Sequence, residues 1–163
     1  MKVAIIGAGS LGQSIGKGLL TNKVVSSLYL TKRNTNSIKD FENYDEVILS
    51  SDNTEAVVNS DILIFAVQPR HLNNILKNIL PHLHKNHVLI SVITGFSIAK
   101  IEAIVGEELS IVRAMPNTAA SVAESMTCLS SNTKGKETIE LAKTIFNSLG
   151  VSMEIPEEQL QAA

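Results

Sequence analysis

Lys2-Val3-Ala4-Ile5-Ile6-Gly7-Ala8-Gly9-Ser10-Leu11-Gly12 is the stretch that decides the fold. Val3 to Ile6 are apolar on both alternating faces, as in a strand covered by helices on both sides. Glycines at 7, 9 and 12 follow at once, and residues 10–21 then carry Ile15, Leu19 and Leu20 on one helical face. A strand, a glycine turn and a helix in this order form the context a dinucleotide fingerprint requires. Gly7 permits a tight turn, Gly9 lets the backbone approach a pyrophosphate, and Gly12 lets the helix pack on the strand. The helix N-terminus points backbone N–H groups and its positive dipole end at the phosphates. Ile6, Gly7, Ala8, Gly9, Ser10, Leu11 and Gly12 are therefore the first candidate cofactor-binding residues. A glycine-rich turn without a ligand is the plain alternative.

Outward from this unit, short apolar runs alternate with helix-length segments. Strands are expected at 2–6, 27–31, 46–49, 61–66, 87–92 and 110–114, and helices at 10–21, 71–80 and 97–105. This alternation predicts an α/β fold: a Rossmann-like, doubly wound, mainly parallel sheet with helices on both faces. The last quarter adds a strand near 126–129, a helix at 134–149 and a short strand at 151–154. Ile139, Ala142, Ile145, Phe146 and Leu149 form the apolar face of that helix, and Gly150 is expected to end it as a left-handed residue. One domain over 1–154 results, and residues 155–163 read as the beginning of a new segment.

Bulk composition narrows the function classes. The 163 residues suit one domain, long enough to bury roughly 70% of its unfolded surface. With 4% aromatic residues and no Trp, the core must be built from Ile, Leu, Val and Ala. A net charge of −2 offers no general attraction to nucleic acid or an anionic membrane. The single cysteine, Cys128, cannot form an internal disulfide and fits a reducing cytosol. No apolar run is long enough to span a bilayer, and Gly7 and Gly9 interrupt the N-terminal one too early for a secretory signal. A cytoplasmic protein is expected. His82, His84 and His87 read as solvated histidines and not a metal site, and Asp40, Glu42, Asp45 and Glu46 as a solvated loop. Cys128 reads as a packed core residue, and no serine has the setting of a nucleophile.

In a doubly wound sheet, ligands sit outside the carboxyl ends of the strands. The second strand ends in Thr31-Lys32-Arg33-Asn34, where an acid would hold the ribose 2′-hydroxyl of NAD. Thr31, Lys32 and Arg33 suit a 2′-phosphate instead, so NADP(H) is the preferred cofactor and NAD(H) the alternative. Later loops hold Ala66-Val67-Gln68-Pro69, Thr94-Gly95 and Met115-Pro116-Asn117-Thr118, which should line the nicotinamide end. Pro69 and Pro116 stiffen two of these turns, and Asn117 can both donate and accept hydrogen bonds to a carboxamide or a polar substrate.

The glycine loop, Ala66-Val67-Gln68-Pro69 and Arg113-Ala114-Met115-Pro116-Asn117-Thr118 together resemble the Δ1-pyrroline-5-carboxylate reductase family along the whole chain. The resemblance implies hydride transfer from NADPH to the C=N bond of pyrroline-5-carboxylate, the last step of proline biosynthesis. It implies that Asn53 lies near the adenosine ribose, Ala66, Val67 and Pro69 near the nicotinamide ribose, and Thr94 beside the ring. Met115, Pro116 and Asn117 would border the substrate, and no catalytic residue is assigned, since a protonated imine can bring its own proton.

Three departures from the family pattern stand out. Ala119 replaces a proline, Ser125 replaces a glycine, and the chain ends at Ala163, where family members continue into a helical dimerisation domain. A positive φ at Ser125 would cost about 1 kcal/mol. The expectation is a cofactor-binding half with little turnover alone, monomeric or weakly dimeric, with Leu160 exposed as a remnant of an interface. The alternatives are a non-catalytic NADP-binding regulatory module, or a related reductase of another imine or an oxo acid.

Overall fold

The computed structural model describes residues 1–162, apart from the side chains of Thr118, Gln161 and Ala162. Ala163, the end of the expected linker, lies outside the described residues. The chain runs β1 (Lys2–Ile6), α1 (Ser10–Thr21), β2 (Ser27–Thr31), β3 (Val47–Ser50), α2 (Asn53–Val58), β4 (Ile62–Phe65) and α3 (Pro69–Ile79). It continues through β5 (Val88–Ser91), α4 (Ile98–Val105), β6 (Ser110–Met115), β7 (Ser125–Ser131), α5 (Ile139–Phe146) and β8 (Gly150–Glu154). The strands form one sheet in the order β3-β2-β1-β4-β5-β6-β7-β8. Strands β1 to β6 are parallel to one another, β7 is antiparallel to β6, and β8 is parallel to β7. The order reverses between β1 and β4, and that switch point opens the crevice in which such sheets hold ligands.

Alternation along β1 sends Val3 and Ile5 into one core with Ile15, Leu19, Leu28 and Ile64, and α5 extends this core through Ile145 and Phe146. Ala4 and Ile6 enter the opposite core with Leu63, Phe65, Leu72, Leu89 and Ile101. Burial on both faces explains why the strands are apolar throughout. The expected doubly wound sheet is thus present, with strand bounds displaced by a residue or so.

Four local expectations need correction. Helix α3 begins at Pro69 rather than 71, since a proline at the first helical position loses no hydrogen bond. The helix expected at 134–149 is a 3-10 turn (Lys134–Thr138), the α-helical core α5, and a second 3-10 turn (Asn147–Leu149). Gly150 has φ 142° and ψ −123°, which is not left-handed helix, and it begins β8. A Cβ there would collide with the Ser125 carbonyl, so close strand contact explains the glycine. Asp40, Glu42, Asp45 and Glu46 are exposed as expected, but the stretch is not all loop: Thr35–Asn43 forms 3-10 turns, kinked at Ile38, that bury Ile38 and Phe41.

The chain's end is also more integrated than expected. Glu157–Ala162 forms a 3-10 run against β7, and Leu160 is buried instead of exposed. The Glu157 carboxylate accepts from Arg113 Nη1 at 3.0 Å and from the Ile98 N–H at 2.8 Å, tying β6 to the start of α4. His87 is likewise buried, not solvated. Its Nδ1 accepts the His84 N–H at 3.1 Å, so Nε2 carries the proton toward the Val57 and Ser60 carbonyls, 3.2 and 3.0 Å away. Burial, helped by the adjacent His84, pushes the His87 pKa below its ordinary 6.5. Among the described residues no His, Cys, Asp or Glu cluster could hold a metal, and no helix is long and apolar enough to cross a membrane. Cys128 is buried on β7, as expected of a core residue.

Candidate dinucleotide site

At the switch point the β1–α1 turn faces the ends of β2 and β4 across a cavity of about 510 Å³. Gly7 has φ 97°, and a Cβ there would lie 2.6 Å from Val67 Cγ1, so the turn and β4's exit can approach only at a glycine. A Cβ on Gly12 would lie 2.5 Å from the Gly7 carbonyl oxygen, which shows how tightly α1 sits on the loop. Gly9 differs: a Cβ there would meet nothing within 4 Å, so its outer side is open to the cavity. Gly9 is also the N-cap of α1, and no side chain caps that helix. Its amino end is thus presented to whatever occupies the cavity.

The loop is braced by Thr31. Its hydroxyl oxygen accepts from the Gly7 N–H at 3.2 Å, and its carbonyl accepts from the Ala8 N–H at 2.8 Å. Thr31 is buried, so its first duty is to hold the turn, although it also lines the cavity. Gln13 adds a second brace by donating from Nε2 to the Ala8 carbonyl at 3.0 Å. Lys32 is half-buried and Arg33 exposed at the cavity's edge, and no carboxylate lines it among the described residues. Two cationic side chains and an uncapped helix end make the cavity favourable for anions.

Among the sequence-predicted residues, the cavity brings together Gly7, Ala8, Gly9, Thr31, Lys32 and Arg33. It also reaches Asn53 at the start of α2, and Ala66, Val67 and Gln68 after β4. Ile6 lies buried behind the loop, Ser10, Leu11 and Gly12 form the first turn of α1, and Pro69 heads α3; none of these lines the cavity. Thr94 and Gly95 follow β5, and Met115, Pro116 and Asn117 close β6, at the same carboxyl edge but outside the cavity. Sequence reasoning missed Ser51, His71, Asn74 and Ile75. The last three fall at i, i+3 and i+4 on α3, so helical spacing after Gln68-Pro69 was the available signal.

The Met-Pro-Asn turn is held by its own network. The Asn117 N–H donates to Ser125 Oγ at 3.2 Å, and Asn117 Oδ1 accepts from the Ala119 N–H at 3.0 Å. Of the Asn117 side chain, the NH2 group is then left to meet a ligand. Ser125 does not have a positive φ; the left-handed residue is Ala123, with φ 58° and ψ 32°. The strain expected at Ser125 is therefore absent, and its hydroxyl serves the turn instead.

Fold and cavity together define a dinucleotide-binding domain of the kind that serves oxidoreductases. The chain belongs to the family described as NADP oxidoreductase, coenzyme F420-dependent, whose model matches residues 2–95. Pyrroline-5-carboxylate reductase 1 of Dictyostelium discoideum is 39% identical over 99% of this chain and 32% of its own length. A pyrroline-5-carboxylate reductase structure from Coxiella burnetii superposes with a TM-score of 0.91 at 28% identity, covering 98% of this chain and 61% of that one. The Plasmodium falciparum pyrroline carboxylate reductase with NADP bound gives 0.82 at 29% identity, over 98% and 59%. This chain thus spans from about a third to about three-fifths of the length of these relatives.

Proposed function

We propose that this chain is the NADP(H)-binding part of a pyrroline-5-carboxylate reductase, with residues 1–154 as the cofactor domain and 155–163 leading toward a further domain. The observation that carries the reading is geometric. The glycine loop and the Met115-Pro116-Asn117 turn lie on one edge of one sheet, with only the exits of β4 and β5 between them. Gly7, Gly9 and the start of α1 would hold the pyrophosphate, with Lys32 and Arg33 beside the 2′-phosphate and Asn53 beside its ribose. Ala66, Val67, Gln68 and Pro69 would border the nicotinamide ribose. Thr94 and Gly95 would flank the ring, with Met115, Pro116 and Asn117 next to the imine. Bound there, NADPH supplies the hydride for the C=N bond of the cyclic imine, and proline is the product. The contribution of the chain's own residues is orientation: two stiff proline turns and an anchored Asn117 hold the ring and the substrate in one place.

A substrate carboxylate needs an anchor, and no cation lies among the residues assigned to the imine side. The isolated chain should therefore bind NADPH yet turn over slowly. Joining it to the remaining two-fifths of the Coxiella burnetii relative provides the test. The fusion should form proline from pyrroline-5-carboxylate and NADPH. A fusion that binds NADPH but forms no proline overturns the reading.

A further inference from the structure

Four of the cavity's lining residues, Ser51, His71, Asn74 and Ile75, have no role in holding the phosphates, the riboses or the ring. Helix α3 contributes His71, Asn74 and Ile75, which share one helical face and line the cavity together with Thr31, Lys32 and Arg33 at the end of β2. His71 and Ile75 are half-buried one turn apart, Asn74 is exposed between them, and Ile75 packs against the apolar core under α3. With phosphates at Gly7 to Gly9 and a ribose between Lys32 and Asn53, this face is the part of the same cavity's lining left to meet the base attached to that ribose. The face combines what a flat heterocycle needs: an apolar support in Ile75, an aromatic ring in His71, and an amide edge in Asn74.

We propose that this face of α3 is a base-reading wall, with Asn74 selecting adenine through a paired hydrogen bond; the assignment rests on the NADP(H) reading. Adenine presents its amino group as a donor beside N7 or N1 as an acceptor, and an asparagine amide matches that pair with its oxygen and its NH2. Hypoxanthine carries a carbonyl where adenine carries the amino group, so the Asn74 oxygen would face another acceptor. His71 and Ile75 contact the faces of the base and do not distinguish the two.

Fluorescence titration with NADPH and with its hypoxanthine analogue tests the assignment on the chain as it stands. The wild type should prefer NADPH about tenfold. Asn74→Leu, at an exposed position where the fold is not at risk, should bring that ratio close to one. His71→Ala should weaken both ligands about threefold to tenfold and leave the ratio intact. A wild-type ratio near one, or a ratio unchanged by Asn74→Leu, overturns the base-reading wall while leaving the dinucleotide site in place. Failure of the wild type to bind either ligand overturns the NADP(H) reading itself.

Discussion

Glycines 9 and 12 share a motif but are required for different reasons. The Gly12 Cα faces the Gly7 carbonyl and Ile5, so any side chain pushes α1 off β1. The Gly9 Cα faces open cavity, and its φ of −78° is available to any residue. Gly12→Ala should therefore destabilise the fold by about 1–3 kcal/mol. Gly9→Ser should leave stability unchanged or raise it by roughly a few tenths of a kcal/mol, because serine caps a helix slightly better than glycine. Its hydroxyl would occupy the helix end meant for phosphate, and NADPH affinity should drop at least tenfold. Melting temperature and NADPH titration on both variants check this; a Gly9→Ser protein with wild-type affinity would remove phosphate binding from this loop. Gly12 was legible in sequence because the Gly7 carbonyl sterically excludes any other residue type, and Gly9 because it stands between Gly7 and Gly12 at the fingerprint spacing. His71 and Asn74 were not, since their part in the cavity depends on how α3 lies over the switch point.

Short elements were the least legible. Helix α2 is six residues long, too short for hydrophobic periodicity to register, and it is set by Asp52, whose carboxylate accepts the Thr54 and Glu55 N–H groups at 2.9 and 3.4 Å. The terminal 3-10 run is set by a partner distant in sequence. Glu157 reaches back to a buried Arg113 and to the first N–H of α4, a pairing that local sequence cannot show. Glu157→Gln keeps an oxygen for the Ile98 N–H but removes the charge opposite Arg113, whose side chain is only 4% exposed and whose Nε already lacks a partner. The Glu157 side chain is 30% exposed, so water moderates the loss, and about 2 kcal/mol is expected. Adding Arg113→Met to Glu157→Gln should recover most of it, since no unpaired charge is then buried. Urea unfolding midpoints measure both, and a double variant as weak as the sum of the singles would show that the pair does not act as one.

Across the whole molecule, the parallel order is readable up to Met115, and its reversal follows from the connection that comes next. Residues 116–124 are too few for the helical crossover that a parallel neighbour needs, so β7 turns back beside β6. The longer stretch before β8 contains α5, and pairing becomes parallel again. His87 marks the opposite limit of legibility: its residue type suggests solvent, whereas the sheet places it where α2 and the β4 entry meet β5. Its neutral ring joins the Val57 and Ser60 carbonyls to the His84 backbone, and the rings of His84 and His87 stack 3.7 Å apart. Because the folded pKa of His87 lies below 6.5, the unfolded chain binds the proton more readily. This contribution is fully present above about pH 6.5 and is lost as pH falls from there through the folded pKa. The melting temperature of the wild type should therefore fall between pH 7.5 and pH 5.5. His87→Gln retains an N–H donor but cannot gain a proton, so its melting temperature should begin lower and change less over the same interval. Parallel pH profiles for the two proteins would show that acid sensitivity arises elsewhere.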